Sequence, residues 1–341
     1  MGLLDAIKRA KEQKISAAAA GAAPSILSVP LQPGMPAASP QAVSAEDDHA
    51  PAVLGVEDLN KILDSIQDIP TLPSIANKVI QAINDPQSNA KHIADIVKND
   101  PALTARLLKV SNSAYYAGFS PCTSVQNAIT RMGLMQIKRM VFSISILDAF
   151  DKYGAAGFNI KDFWKHSIAV AYNTRTIGKI SRFRDNEELF TAGLLHDLGM
   201  LIIIKYMPEM FDAIMNKREI SPEISFYDCE RADFPISHCE IGSWLSVRWQ
   251  MSREIQSVIF NHHNPPINST IFEKDIVMFS AIVYLADRLS TRLEAGFLND
   301  SGTQIDGRIF NYVFGESSSE EEVVGHLLKN KALIEAAVSA L

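Results

Sequence analysis

The chain has 341 residues, of which 47% are hydrophobic and 21% are charged, a size and composition that fit one large or two modest soluble domains. Its 32 lysines and arginines against 39 aspartates and glutamates leave a formal net charge of -7 at pH 7, which excludes a basic nucleic-acid footprint over the whole chain. Three cysteines without a C-x-x-C pair argue against a disulfide framework or a structural zinc knuckle. We therefore expect a protein of the reducing cytoplasm.

The apolar runs of the sequence are short. The strongest, at 200–204, ends at Lys205 and is far below the roughly 20 residues that span a bilayer. The N-terminal sequence MGLLDAIKRAKEQK has neither the apolar stretch nor the cleavage site of a secretory signal. The sequence thus predicts no membrane span and no export by that route.

The N-terminal part of the chain differs in composition from the rest. Residues 16–52 are rich in alanine, proline and serine, and the first aromatic residue is Tyr115. Such a segment buries too little apolar area to offset the entropy lost on ordering. We therefore predict a flexible, disordered lead over 1–55.

From about residue 57 the apolar residues recur at helical spacing. Asp100 before Pro101 is an N-cap signal, and Ser124 begins a helix that ends at Gly133. Further helices are predicted over 163–180, 187–206, 237–249, 255–263 and 275–292. Because strand patterns are scarce, we predict an all-α bundle of two packed halves, over 56–155 and 156–296, followed by a polar linker and a C-terminal helix over 297–341.

The segment 124–150 has the outline of a helix-turn-helix, with Gly133 between two helices and basic residues nearby. Its second helix, however, carries Ile137, Val141 and Phe142, which leave little polar face for a DNA groove. We therefore predict a helical hairpin buried in the domain, and we do not expect nucleic acid as a partner.

Residues of the kinds that bind metals are concentrated between 160 and 290. They comprise one histidine, an adjacent His-Asp pair, a lone histidine, an adjacent histidine pair and an aspartate: His166, His196, Asp197, His238, His262, His263 and Asp287. The pair in LLHDLG lies in an otherwise apolar helix, where ionisable groups need hydrogen bonds, an ion pair or a metal. Imidazoles and carboxylates from separate helices suit a divalent metal such as Fe, Mn, Ni, Zn or Mg, so all seven are candidate ligands.

The His-Asp pair, the first histidine and the last aspartate also have interpretations without a metal. His196 and Asp197 fit a buried hydrogen-bonded pair that only stabilises helix contacts. His166 fits a core histidine bonded to a backbone carbonyl. Asp287 fits a partly buried ion pair with Arg288. The sequence alone does not decide between metal binding and these structural roles.

The later histidines have alternatives at helix ends. His238 lies at a helix start, where Ser237 and Glu240 satisfy the S-x-x-E capping box. His262 and His263 fit a cap at the carbonyl end of their helix, where a cation is favoured. Cys239, beside His238, is expected to act as a small hydrophobic residue.

The order of these residues resembles the HD superfamily of metal-dependent phosphohydrolases, especially HD-GYP, its cyclic di-GMP phosphodiesterase branch. That resemblance implies that the equivalent residues hold two or three metals and that the Asp of the His-Asp pair bridges them. A closer resemblance covers about residues 60–290. The sequences IPTLPSIANKVIQAINDPQ, FWKHSIAVA, LFTAGLLHDLGMLII, FPISHCEIGSWLSVRWQM and VIFNHHNP are similar, in order, to the HDOD domain, the HD-related output domain of bacterial signalling proteins.

Two positions depart from the phosphodiesterase pattern. HD-GYP enzymes carry a lysine where this chain has Met200, and their G-Y-P loop is replaced here by NPPINST. A thioether supplies neither a proton nor a charge. The HDOD resemblance therefore implies a bacterial regulatory module that binds a protein or a nucleotide, such as a cyclic dinucleotide, and works beside receivers, kinases or cyclic di-GMP proteins. HDOD domains have commonly lost metal ligands, but this chain keeps all seven candidates, so we expect a retained metal site. The alternative is a metal-dependent phosphohydrolase or cyclic-dinucleotide phosphodiesterase.

Overall fold

The structure is a computed structural model that describes most of the chain from residue 71 onwards. The described residues are 63, 71–85, 87–116, 118, 120–150, 157–183, 187–295, 304–315 and 318–339. The lead predicted over 1–55 lies outside them. Within the described residues the secondary structure is helical and contains no strand, which confirms the all-α prediction.

Within the described residues, the N-terminal half contains five helices with assigned bounds. They are α1 (Ser74–Asn84), α2 (Ala90–Val97), α3 (Pro101–Ser111), α4 (Val125–Met132) and α5 (Leu134–Phe150). The Asp100 side chain caps α3 by accepting from the Leu103 amide, and Ser124 caps α4. Gly133, at φ 86°, separates α4 from α5, and α5 is buried along most of its length against α1, α3 and α4. This is the buried hairpin that the sequence predicts for 124–150.

The second half contains eight helices within the described residues. They are α6 (Ile160–Ile180), α7 (Glu187–Leu195), α8 (Leu198–Tyr206), α9 (Pro208–Ile220), α10 (Phe226–Asp233), α11 (His238–Arg248), α12 (Arg253–Asn261) and α13 (Lys274–Ser290). A π-helical turn, Thr291–Ala295, continues α13. The capping box predicted at Ser237 and Glu240 is present at the start of α11. Helix α6 packs against α7 and α13, and α12 packs against α7, α11 and α13.

The prediction of one continuous helix over 187–206 is wrong in one respect, because the structure divides this segment into α7 and α8. His196 and Asp197 form the turn between them. The ring of His196 bonds through Nδ1 to the Gly193 carbonyl oxygen at 2.9 Å, and the backbone of Asp197 has φ -96° and ψ 10°. Adjacent side chains of a continuous helix diverge by about 100°. The turn instead brings both side chains into one pocket.

The same stretch, Glu188–Tyr206, is the one part of the described chain that is long and apolar enough to cross a membrane. It is longer than the run recognised at 200–204. In the fold, 89% of its most apolar window is buried. Packing in the protein core therefore accounts for its apolar character.

The two halves meet along α5, α6 and α7. The Gln136 side-chain amide donates to the Tyr172 hydroxyl at 2.5 Å. The ring of Phe150 packs between Trp164 and Trp249, with centroid distances of 6.4 and 6.2 Å. A shared apolar core thus joins the N-terminal half to the helices that carry the candidate ligands.

The C-terminal segment contains more helix than its polar composition suggests. It comprises α14 (Gly307–Phe314), α15 (Glu320–Leu327), a 3-10 turn (Leu328–Asn330) and α16 (Lys331–Val338). Buried Ile309 and Phe310 anchor α14. Asn330 donates to both Asn173 Oδ1 and Thr176 Oγ1 at 2.9 Å, so this segment is tied to α6.

Candidate metal centre

The structure brings all seven predicted ligands together at the centre of the second half. His166 lies on α6, the His196–Asp197 turn joins α7 to α8, His238 begins α11, His262 and His263 directly follow α12, and Asp287 lies on α13. All except His263 are at most 7% exposed. His263 is partly exposed. Five separate parts of the fold therefore converge on one buried polar cluster.

The carboxylate of Asp197 lies between two groups of imidazoles. Its Oδ1 is 3.4 Å from His238 Nε2 and 3.3 Å from His262 Nε2. Its Oδ2 is 3.2 Å from His196 Nε2 and 3.8 Å from His166 Nε2. Each oxygen of one side chain thus faces a different pair of histidines.

Asp287 completes the group on the Oδ2 side. Its Oδ1 lies 3.2 Å from His166 Nε2 and 3.9 Å from His196 Nε2. The donors on this side are therefore two imidazoles and two carboxylates. On the Oδ1 side, the side chains of His238, Cys239, His262 and His263 can each offer a ligand atom within 4.8 Å of the others.

Hydrogen bonds orient three of the imidazoles in the same way. The Nδ1 atoms of His196 and His262 bond to the carbonyl oxygens of Gly193 and Ile259, at 2.9 and 2.7 Å. His238 Nδ1 bonds to a carboxylate oxygen of Glu230 at 2.6 Å. An acceptor at Nδ1 holds the Nδ1–H proton, so Nε2 is the atom left to bind a metal.

The electrostatics of the cluster keep both aspartates ionised. Burial opposes ionisation, yet His196, His238 and His262 hold the pKa of Asp197 well below its usual value. Burial likewise opposes ionisation of Asp287, but hydrogen bonding to His166 and the nearby imidazoles lower its pKa to about 2. Ionised carboxylates are the form that binds a divalent metal.

The adjacent residues His262 and His263 have pKa values shifted in opposite directions. Burial would lower the pKa of His262, but Cys239 and the hydrogen bond to Asp197 raise it to about 10. Burial, His262, His238 and Arg288 all hold the pKa of His263 well below its usual value. The surroundings of His262 thus favour its protonated form, whereas those of His263 favour its neutral form.

The spacing of the donors fits metal coordination. Nitrogen or oxygen atoms that share a metal at about 2.1 Å lie roughly 3 to 3.4 Å apart in cis or tetrahedral positions. The contacts of Asp197 with His196, His238 and His262, at 3.2, 3.4 and 3.3 Å, fall in this range. His196 Nε2 is buried and forms no well-aligned hydrogen bond within the described part of the chain, although Asp197 Oδ2 lies 3.2 Å away. The residues present therefore fit the binding of divalent metal ions.

Two further residues of the site, Glu230 and Cys239, are not among the predicted ligands. Glu230 is fully buried on α10, accepts from the His238 backbone amide at 2.9 Å and also bonds to its ring; burial raises its pKa. Cys239 was expected to be only a small hydrophobic residue, but its Sγ lies 3.6 Å from His238 Nε2 and 3.9 Å from His262 Nδ1. Only its position beside His238 could have suggested this contact.

A close helix contact sets the position of Asp197 relative to His238. Gly199 on α8 faces Gly242 on α11, and a Cβ atom on Gly199 would lie 1.9 Å from the His238 carbonyl oxygen. Any side chain at residue 199 would force the two helices apart. The LLHDLG sequence thus supplies both ligands and the glycine that lets α8 approach the next ligand.

The family follows from comparison with known proteins. Residues 69–265 match the HDOD domain model, so the chain belongs to the HDOD family. Its fold is similar to that of an HDOD domain protein from Geobacter sulfurreducens, with TM-score 0.68 and 26% identity over 82% of this chain and 95% of that one. A provisionally named signal-transduction protein from Marinobacter aquaeolei has the same fold, with TM-score 0.67 and 21% identity over 83% of this chain and 61% of that one.

One curated relative is longer than this chain. An uncharacterized protein of Treponema pallidum (strain Nichols) is 29% identical over 212 residues, which are 60% of this chain and 39% of that protein. The match therefore spans well under half of that relative's length.

Proposed function

We propose that this HDOD protein is a signal-transduction module whose central site holds two divalent metals and binds a phosphate ester. The position of Asp197 carries the proposal, because each of its carboxylate oxygens faces a separate pair of imidazoles. A carboxylate that only paired with one histidine would not need this arrangement. The HDOD family membership supports the regulatory role.

The proposed ligands divide into two sets. His166, His196 and Asp287, with Asp197 Oδ2, would hold one metal. His238 and His262, with Asp197 Oδ1, would hold the second. When bound, such metals polarise a phosphoryl oxygen and offset the negative charge of a phosphate group.

The residues of the chain supply the setting for that binding. The hydrogen bonds at Nδ1 of His196, His238 and His262 keep Nε2 turned towards Asp197. The low exposure of these side chains keeps bulk water away from the donors, which strengthens electrostatic interactions inside the site. A phosphate ester is the ligand class whose charge and oxygen atoms suit this setting.

The partners and location belong to the same proposal. We infer that the module acts in a bacterial cytoplasm beside receivers, kinases or cyclic di-GMP proteins, with a cyclic dinucleotide as one phosphate ester it would bind. The name of the Marinobacter aquaeolei protein is in keeping with signalling. Three buried free cysteines in the described residues are in keeping with a reducing compartment.

Hydrolysis of the bound ester is the second candidate function. The presence of all seven predicted donors in one cluster favours hydrolysis, because a site without catalytic activity would not need to keep every metal ligand. Met200 is buried and uncharged where the related phosphodiesterases have a lysine. A hydrolase of this kind would need another residue to supply the positive charge and the proton that a lysine at position 200 would provide.

The test compares phosphate binding and hydrolysis in full-length protein loaded with Mn²⁺. We expect inorganic phosphate to bind only when metal is present, and Asp197→Asn to abolish that binding. Asp212→Asn, on the exposed face of α9, is the matched control and should bind as the parent does. Hydrolysis of bis-p-nitrophenyl phosphate that Asp197→Asn removes would establish the second candidate. Phosphate binding that is absent, or that does not depend on metal, would contradict the proposal.

A further inference from the structure

The partly exposed side of the metal centre is formed by Tyr227, His263 and Arg288. The six candidate ligands other than His263 are buried, whereas Tyr227, His263 and Arg288 are each partly exposed to solvent. The Tyr227 ring stacks on the His263 ring at a centroid distance of 4.4 Å and an angle of 25°. Arg288, which is next in the chain to Asp287, contacts the Nδ1 edge of that imidazole. A ligand that enters from solvent would meet this side first.

The hydrogen bonding of His263 is the reverse of that of its neighbours. Arg288 Nη2 lies 3.3 Å from His263 Nδ1, and a guanidinium can only donate. His263 Nδ1 is therefore an acceptor, whereas Nδ1 of His196, His238 and His262 donates to an oxygen. A neutral imidazole that accepts at Nδ1 carries its proton on Nε2.

The proton on His263 Nε2 points into the site. Nε2 lies 3.0 Å from His238 Nε2, so the N–H is directed at the Oδ1 side of the cluster. A nitrogen that carries a proton offers no lone pair to a metal but can donate to a phosphoryl oxygen. His263 thus differs from His262, although the two residues are adjacent in sequence.

Arg288 adds a fixed positive charge at the same place. Its guanidinium is held over the Tyr284 ring, with Cζ 5.4 Å from the ring centroid, and it bonds to the edge of His263. Guanidinium groups bind phosphate through paired charge-assisted hydrogen bonds. Buried Met200, by contrast, brings no charge to the site.

We propose that Arg288 and His263 form the phosphoryl-binding side of the metal centre, with Arg288 supplying the positive charge that Met200 does not. His263 then serves as a hydrogen-bond donor to the ligand rather than as a metal ligand. This inference rests on the proposed function, because it assigns these residues to the same phosphate ester.

The first test measures inorganic phosphate binding by calorimetry in full-length, Mn²⁺-loaded protein. Arg288→Gln should weaken phosphate affinity by about tenfold to a hundredfold, the usual size of a lost charge-assisted contact, with an unchanged metal content. Arg292→Gln removes the same charge about one turn later, where Arg292 pairs with Glu320, and should bind phosphate as the parent does. Equal affinity in the two variants would overturn the inference.

The second test separates His263 from His262. His263→Ala should keep the metal content of the parent but lose phosphate affinity, whereas His262→Ala should lose metal. A loss of metal from His263→Ala equal to that from His262→Ala would overturn the role assigned to His263. A parent protein without metal-dependent phosphate binding would instead contradict the proposed function itself, so the two failures are distinguishable.

Discussion

Single side chains decide whether the cluster binds metal or is only a hydrogen-bonded core. Glu230 is informative here, because it is fully buried and its two carboxylate oxygens hold both the backbone amide and the ring of His238. A buried carboxylate placed behind a histidine is the support that metal-binding imidazoles commonly have. A histidine that merely capped a helix would not need it.

Glu230→Gln tests that support. The amide has nearly the same shape but no charge, so we expect His238 to be a poorer donor and metal affinity to fall about tenfold to a hundredfold. Glu209→Gln, on the exposed surface of α9, is the control for loss of one negative charge. Unchanged metal affinity in Glu230→Gln would show that Glu230 has only a packing role.

The protonation of His262 predicts how metal binding depends on pH. In the metal-free protein its pKa is about 10, because the opposing effect of burial is outweighed by Cys239 and Asp197. The ring is therefore protonated at neutral pH, and a metal must displace that proton. We expect affinity for Mn²⁺ to weaken by at least about tenfold for each pH unit lowered between pH 8 and 6. Affinity that stays constant over this range would contradict displacement of the proton.

At the scale of helices, the approach of α8 to α11 is what brings Asp197 to His238. Gly199→Ala places a methyl group 1.9 Å from the His238 carbonyl oxygen, and such overpacking costs about 1 to 3 kcal/mol of the free energy of unfolding. Gly325 on α15 has no atom near its would-be Cβ. Gly325→Ala should therefore stabilise the protein slightly, because alanine is the better helix former.

Chemical denaturation of the two variants measures this difference. We expect a lower free energy of unfolding for Gly199→Ala and a free energy of unfolding at least equal to that of the parent for Gly325→Ala. Equal stability of Gly199→Ala and the parent would show that the two helices can separate freely.

Helix existence was predictable, but the break at residues 196–197 was not. Caps at Asp100, Ser124 and Ser237 are local signals, and the structure places helices where they predict them. The run from 189 to 204 is apolar except for Thr191 and the His196–Asp197 pair, so its periodicity contains no mark of the turn. The turn depends on tertiary contacts, such as those of Gly199 with α11.

At the scale of the whole molecule, the order of histidines and aspartates predicted the composition of the cluster better than its internal roles. His166 and Asp287 are 121 positions apart in the sequence, yet their side chains lie 3.2 Å apart. Only the family resemblance indicated that convergence. The contacts of Glu230 with His238 and of Arg288 with His263 could not be predicted, because they depend on which helices pack together rather than on spacing along the chain.

The count of metal ions per chain tests the central claim most directly. Elemental analysis of the full-length protein, after reconstitution with Mn²⁺ and removal of free metal, should find about two ions per chain, as expected for a two-metal site. Asp197→Ala should bind none tightly, since both sets of donors depend on that carboxylate, while Asp212→Ala should match the parent. A parent chain without bound metal, or an Asp197→Ala variant with the full number of ions, would contradict the account.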